Sequence, residues 1–184
     1  MKAMTRRFNL FLALLMLAAL CGCQTPTKTA KSKQKKEVSA LRLHAEFDSD
    51  AGGTSQTISM PPRADPVVLT ISRDPFLTEA NIIAAGVIQS PGGLGSAVAV
   101  QFDQSGSLTL EQYSSALVGK HFAIFGQWGD KASKGRWLAA PLITRRIANG
   151  VLSFNGDFDS TNEINRLVLG LNNVAKKNKK GQSK

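Results

Sequence analysis

Asn149-Gly150 narrows the fold more than any other feature, because it separates two strand-like runs, "LITRRIA" and "VLSFNGDF". A two-residue primed turn needs positive φ at both central positions, and Asn-Gly tolerates that better than almost any pair. The spacing predicts a hairpin there. A second is expected where "KHFAIFGQW" and "RWLAAPLITRRIA" flank the polar stretch "GDKASKG". "LRLHAEF" (41–47) alternates apolar and polar residues like a half-buried strand, and "PVVLTISR" (66–73) reads as another. "DSDAGGTSQT" between them reads as a loop. "SPGGLGS" (90–96) is turn chemistry between a strand ending at Gln89 and "AVAVQF".

Helical signals are fewer. A short helical turn is expected from Thr78. A helix over roughly 105–117 would place Leu110, Tyr113, Ala116 and Leu117 on one face. In the last helix Ser160 stands three residues before Glu163, the spacing of a capping box. Ile164, Leu167, Val168 and Leu171 then follow at helical intervals. Lys176 and Lys177 come where cations favour a helix C-terminus. Strands joined by hairpins and interrupted by two or three helices predict an α+β domain with a mixed, mostly antiparallel sheet.

The ends of the chain differ from its middle. Lys2, Arg6 and Arg7 precede an unbroken apolar run, Leu10 to Leu20. That run has the length of a secretory signal and falls short of the about 20 residues that span a bilayer. It ends in "LCGC", where Leu20, Gly22 and Cys23 fit the pattern of a lipoprotein signal. We therefore expect residues 1–22 to be a signal peptide and Cys23 the acylated N-terminus, the thiol carrying diacylglycerol. Gln24, in place of Asp, favours an outer over an inner membrane, with the domain facing the periplasm.

The formal net charge of +10 invites a nucleic-acid reading, but its distribution argues against one. Residues 24–36 carry five lysines, and Lys176, Lys177, Lys179, Lys180 and Lys184 carry five more. All 13 acidic residues lie between Glu37 and Ala175, so the intervening chain is slightly acidic. Residues 23–37 and 176–184 are polar and single-signed, and disorder is expected of both. The four lysines 176, 177, 179 and 180 could touch an anionic lipid or cell-wall polymer, or simply solvate a tail.

Catalytic patterns fail on inspection. "GGLGS" lacks the third spaced glycine and the following helix of a dinucleotide loop. "VGK" (118–120) has Ser114 where a phosphate-binding loop needs glycine, and His121 where it needs a hydroxyl. His44 and His121 have no metal-spaced partner and read as surface or edge-strand residues. Asp157 and Asp159 precede a helix N-terminus, which their charge suits. Of Arg145 and Arg146, alternation lets one reach solvent. No catalytic residue, cofactor or metal is expected. Trp128 and Trp137 flank the 129–135 loop and could form an exposed aromatic patch for an apolar polypeptide.

The ordered series of segments resembles the large periplasmic head subdomain of SecD, an accessory subunit of bacterial protein export. "RDPFLTEANIIAAGV" (73–87) is similar at Pro75, Leu77, Thr78, Ile82, Ala85 and Val87. "VQFDQSG" matches at Phe102 and Gly106, and "VGK" and "FAIF" follow in the family's order. "LAAPLI" (138–143) and "SFNGDFDSTNEINRLVLGLN" complete a likeness that runs from about 70 to 173. The inserted "QWGDKASKGRW" departs from the family pattern, as does the lack of any segment resembling SecD's membrane helices. The resemblance implies a head-like domain over 38–175 that binds without catalysing and contacts unfolded polypeptide or Sec translocon components. The other reading is a structural envelope lipoprotein whose basic ends touch anionic lipid or polymer.

Overall fold

Alternation along the strand-like segments leaves each with one apolar face, and the fold is the solution that covers those faces. The computed structural model describes residues 37–48, 53–61, 66–90, 95–129, 132 and 134–182. All belong to one compact unit, Gln34–Lys184. The strands are β1 (Ala40–Ala45), β2 (Ser55–Met60), β3 (Val67–Ser72), β4 (Ile82–Gln89), β5 (Ser96–Phe102), β6 (Phe122–Trp128), β7 (Lys134–Ala139) and β8 (Val151–Phe154). A 3₁₀ turn, Glu79–Asn81, leads into β4. The two α-helices are α1 (Gln104–Ala116) and α2 (Thr161–Gln182).

The strands form three antiparallel sheets, ordered β1-β6-β7, β2-β3 and β4-β5-β8. The α+β expectation is met. The β1-β6-β7 sheet is covered on both faces. Leu41, Leu43, Phe122, Ile124 and Trp128 face the main core, which they share with β5, β8, α1 and α2. On the opposite face Ala123 packs with Met60, Leu69 and Ile71 of the β2–β3 hairpin. Burying each of the large aliphatic side chains contributes about 1.5–3 kcal/mol.

Four segments depart from the expectations. Ser55–Met60 is a strand where residues 48–57 were expected to loop, because polar Ser and Thr alternate there with Ile58 and Met60 in register with β3. Asn149-Gly150 makes a turn but no hairpin. Gly150 takes φ +65° and Asn149 does not share it, while Asn149 Oδ1 accepts the Val151 N–H at 3.1 Å. The expected partner strand, residues 142–148, is instead held over α1 and the turn before β6. Ile147 donates its N–H to Ser114 Oγ (2.9 Å) and Ile143 its N–H to the Lys120 carbonyl (2.8 Å). β8 pairs with β5.

The expected disordered ends also change. The Lys-rich stretch is helical through Gln182, because no breaker follows Ala175 until Gly181 and propagating an existing helix needs no new nucleus. Glu37, placed in the linker by its sequence, is 6% exposed and clasps Arg166 (3.0 Å) and the Gly129 N–H (2.9 Å). Residues 1–36, where the signal peptide and linker are expected, lie outside the described residues. Next along the chain, Ser39 lies so close to α2 that a Cβ on Gly170 would collide with its backbone nitrogen at 2.7 Å. That helix position therefore takes glycine.

The cap of α2 is a variant of the expected box. Ser160 Oγ accepts from Glu163 N at 3.4 Å, but Glu163 Oε2 accepts from Asp159 N (3.2 Å) rather than from Ser160. Arg136 completes the cap from β7. It reaches Asp159 (2.9 Å), Glu163 (2.8 Å) and the Asp157 carbonyl (2.8 Å), tying the hairpin to the helix start.

Candidate polypeptide-binding groove

The two tryptophans do not make a shared surface patch. Register sets Trp128 opposite Lys134 and Trp137 opposite Phe125, three ladder positions apart and hence on opposite faces. Trp128 is 1% exposed in the main core, beside Phe158 and under the Arg136 guanidinium. Trp137 is half-buried against the β2–β3 hairpin, edge-on to His44 and Phe125. The exposed-patch expectation is thus corrected. Both residues flank the same loop, but an odd spacing on a pleated ladder separates them.

The remaining candidates are scattered. Cys23 lies outside the described residues. Lys176, Lys177, Lys179 and Lys180 are exposed on the last turns of α2. Arg145 and Arg146 are both exposed, since their segment is no strand, and Arg146 pairs with Glu111. His44, expected at the surface or on an edge strand, lies on β1, an edge strand of its sheet, but is 5% exposed, with Nδ1 at 2.9 Å from the Ser72 carbonyl. Burial pushes its pKa below the ordinary histidine value, outweighing that hydrogen bond. His121 joins Glu46 through Nδ1 (2.7 Å) beside β6. Among the described residues no cluster of three His, Cys, Asp or Glu could hold a metal ion, and no helix is long and apolar enough to cross a membrane.

What the fold does bring together is a groove between the ends of two sheets. Its walls are Leu138 to Pro141, continuing β7, and Ser153 to Asp157, continuing β8; Pro61 and Ala97 also line it. The volume is about 570 Å3. A smaller hollow of about 330 Å3 adjoins it at Pro61 and Asp157, lined also by Met60, Arg136 and Trp137. The walls are joined where Asp157 donates its N–H to the Leu138 carbonyl at 2.8 Å.

One wall is an open strand edge. The Phe102 N–H bonds the Gly150 carbonyl at 3.0 Å, which sets the phase of the β5–β8 ladder. By antiparallel alternation, Leu152 and Phe154 exchange bonds with β5, whereas Ser153 turns its N–H and C=O away from it, toward the groove. The other edge of this sheet, β4, is closed by a side chain. Asn172 of α2 accepts the Ala85 N–H (3.0 Å) and donates to the Ala85 carbonyl (2.8 Å), mimicking a paired strand.

Over residues 54–175 the sequence matches the family described as SecDF, P1 head subdomain. The chain belongs to that family. Its fold is also similar to solved SecDF structures. One, of SecDF as a membrane component that enhances protein export, aligns with TM-score 0.53 at 17% identity, covering 83% of this chain and 71% of that one. Another, SecDF in a super-membrane-facing form, aligns with TM-score 0.52 at 17% identity over 80% of this chain. The present chain covers 21% of that much longer one. No curated protein sequence matches.

Within the P1 head, the resembling segment Arg73–Val87 builds the 3₁₀ turn and the closed β4 edge, and "LAAPLI" builds one groove wall. The family match ends at Ala175, the last buried residue of α2, so the lysine-bearing turns lie beyond it. Sequence reasoning misses Ser153 and Asn172. Asn172 carries a usable signal: an amide between Leu171 and Ala175 on the apolar side of a helix needs a buried partner. Ser153 carries none, since edge status depends on which strand ends the sheet.

Proposed function

We propose that this P1 head is a binding module, tethered by lipid at Cys23 on the periplasmic side of a membrane, that takes up extended, unfolded polypeptide during or after export. Gln24 supports the outer membrane as its address. The observation that carries the reading is the open edge of β8 inside a groove. An extended chain laid there finds the Ser153 N–H and C=O as ladder partners and the partly exposed Pro61, Ala140 and Pro141 for its alternate side chains. Main-chain pairing is indifferent to sequence, as a receptor for many exported proteins must be. The SecDF relatives, one of them a component that enhances protein export, support translocon proximity as the setting.

The test is binding of a permanently unfolded polypeptide to the protein, read by anisotropy. Ser153→Pro removes the outward N–H without touching the ladder to β5 and should weaken binding at least about fivefold, the loss of one main-chain hydrogen bond. Ser153→Thr should bind like the parent. Equal affinity of the proline variant would remove the groove from the proposal.

A further inference from the structure

The domain has a second surface that the groove does not use. α2 continues past its last buried residue, Ala175, to Gln182, and every lysine on that extension is exposed: Lys176, Lys177, Lys179 and Lys180. At 100° per residue the four fan over about 160° of the helix surface, a continuous basic face rather than a ring. Glu79, on the 3₁₀ turn packed against this helix, buries one carboxylate oxygen.

The described chain begins beside the middle of α2. The Ser39 hydroxyl meets the Arg166 carbonyl (3.4 Å), whereas the Glu37 carbonyl accepts from Asn173 Nδ2 (3.0 Å). Followed backward from Ser39, the backbone thus climbs α2 toward Lys176. Residues 24–36 connect Glu37 to Cys23 over at most about 45–50 Å of extended chain.

We infer that the C-terminal end of α2 docks on an anionic phospholipid surface and stands the domain end-on upon it. Acyl chains and charge act together in membrane binding, and a polybasic patch on an acylated protein strengthens and orients the attachment. The attraction acts within a Debye length of the bilayer, about 10 Å, so the lysines contribute only when they stand at the membrane surface. A bilayer, rather than a free polymer, is the occupant because the proposed anchor at Cys23 keeps the domain within a tether's length of one, and the four exposed lysines match an anionic surface in charge. α2 has 22 residues and is therefore about 33 Å long. Arg136 and Asp157 sit at its opposite end, against Glu163, so docking would hold the groove about 30 Å from the lipid and open to arriving chains. This inference rests on the lipid anchor of the proposed function and not on the groove.

The experiment places the lipidated protein in phosphatidylcholine vesicles with or without phosphatidylglycerol, with a headgroup quencher in the outer leaflet. One fluorophore goes on Gly181→Cys, where a side chain meets nothing within 4 Å, and a reference goes on exposed Asn155→Cys beside the groove. Quenching at 181 should be at least about threefold stronger with phosphatidylglycerol, vanish in high salt, and never appear at 155. It should also vanish when Lys176→Gln, Lys177→Gln, Lys179→Gln and Lys180→Gln are combined.

Three outcomes overturn the inference. Protein that floats free of neutral vesicles breaks the anchor and the docking with it. Protein that stays with them but is quenched equally with and without phosphatidylglycerol keeps the anchor and sinks the docking alone. If a soluble polyanion binds the four-lysine end while phosphatidylglycerol changes nothing, the partner is a polymer and not a bilayer.

Discussion

The β4-β5-β8 sheet has two edges treated in opposite ways. At β4, Asn172 of α2 occupies both hydrogen-bonding groups of Ala85 and the helix lies across the strand. At β8, the outward groups of Ser153 face a groove over which none of the described elements lies. An exposed edge is a liability that folded proteins ordinarily cover, twist away or charge. Here one edge receives a dedicated amide and the other is left short, four residues long, and flanked by apolar walls. The closed edge is structural, and the open edge is the place where another chain can be added.

If that contrast is right, the closed edge depends on the seating of α2. Leu167 and Leu171 are fully buried beneath the helix. Leu167→Ala should lower unfolding stability by about 2–5 kcal/mol, the sum of lost transfer energy and a residual cavity. Urea denaturation would show it as a drop in midpoint at unchanged slope. A change below about 1 kcal/mol would mean that α2 is only loosely seated and that the β4 edge is not truly closed.

A narrower break removes the amide alone. Asn172→Ala keeps the apolar seat but leaves the Ala85 N–H and C=O unsatisfied and partly buried, at about 1–3 kcal/mol. Asn172→Asp should retain the acceptor for the N–H and lose the donor, landing between parent and alanine only if its charge stays hydrated. Hydrogen exchange at Ala85 is the local readout. The alanine variant should lose protection there while β5 and β8 keep theirs.

The difference between the edges also explains which parts of the molecule were legible in the chain. Strands and helices follow from local alternation and capping, and the α+β class with its antiparallel pairing emerges from them. The ordered resemblance from Arg73 to Asn173 pointed to the right family. Partner choice is not local. Asn149-Gly150 marks a real turn, yet nothing within it says that β8 will pair with β5 rather than with residues 142–148. The Trp128 and Trp137 expectation failed for a related reason, since a register offset of one residue decides the face. Lys176 to Gln182 looked disordered because composition is blind to a helix already nucleated fifteen residues upstream.

The smallest effect on stability should come from the open edge itself. Ser153 lies opposite Ala99 in a non-bonded ladder position, so Ser153→Pro removes no hydrogen bond to β5. Proline is tolerated on edge strands where its missing N–H faces outward, and Leu152 before it is already extended. The expected loss is under about 1 kcal/mol, set by the shift in φ rather than by a broken bond. Leu152→Pro is the matched opposite. It sits one residue earlier, donates to Val100, and should cost about 3 kcal/mol or more. Circular dichroism melts of the pair separate the two phases of the ladder. Were Ser153→Pro as damaging as Leu152→Pro, the outward groups would already be in use within the fold, and the groove would have no edge to offer.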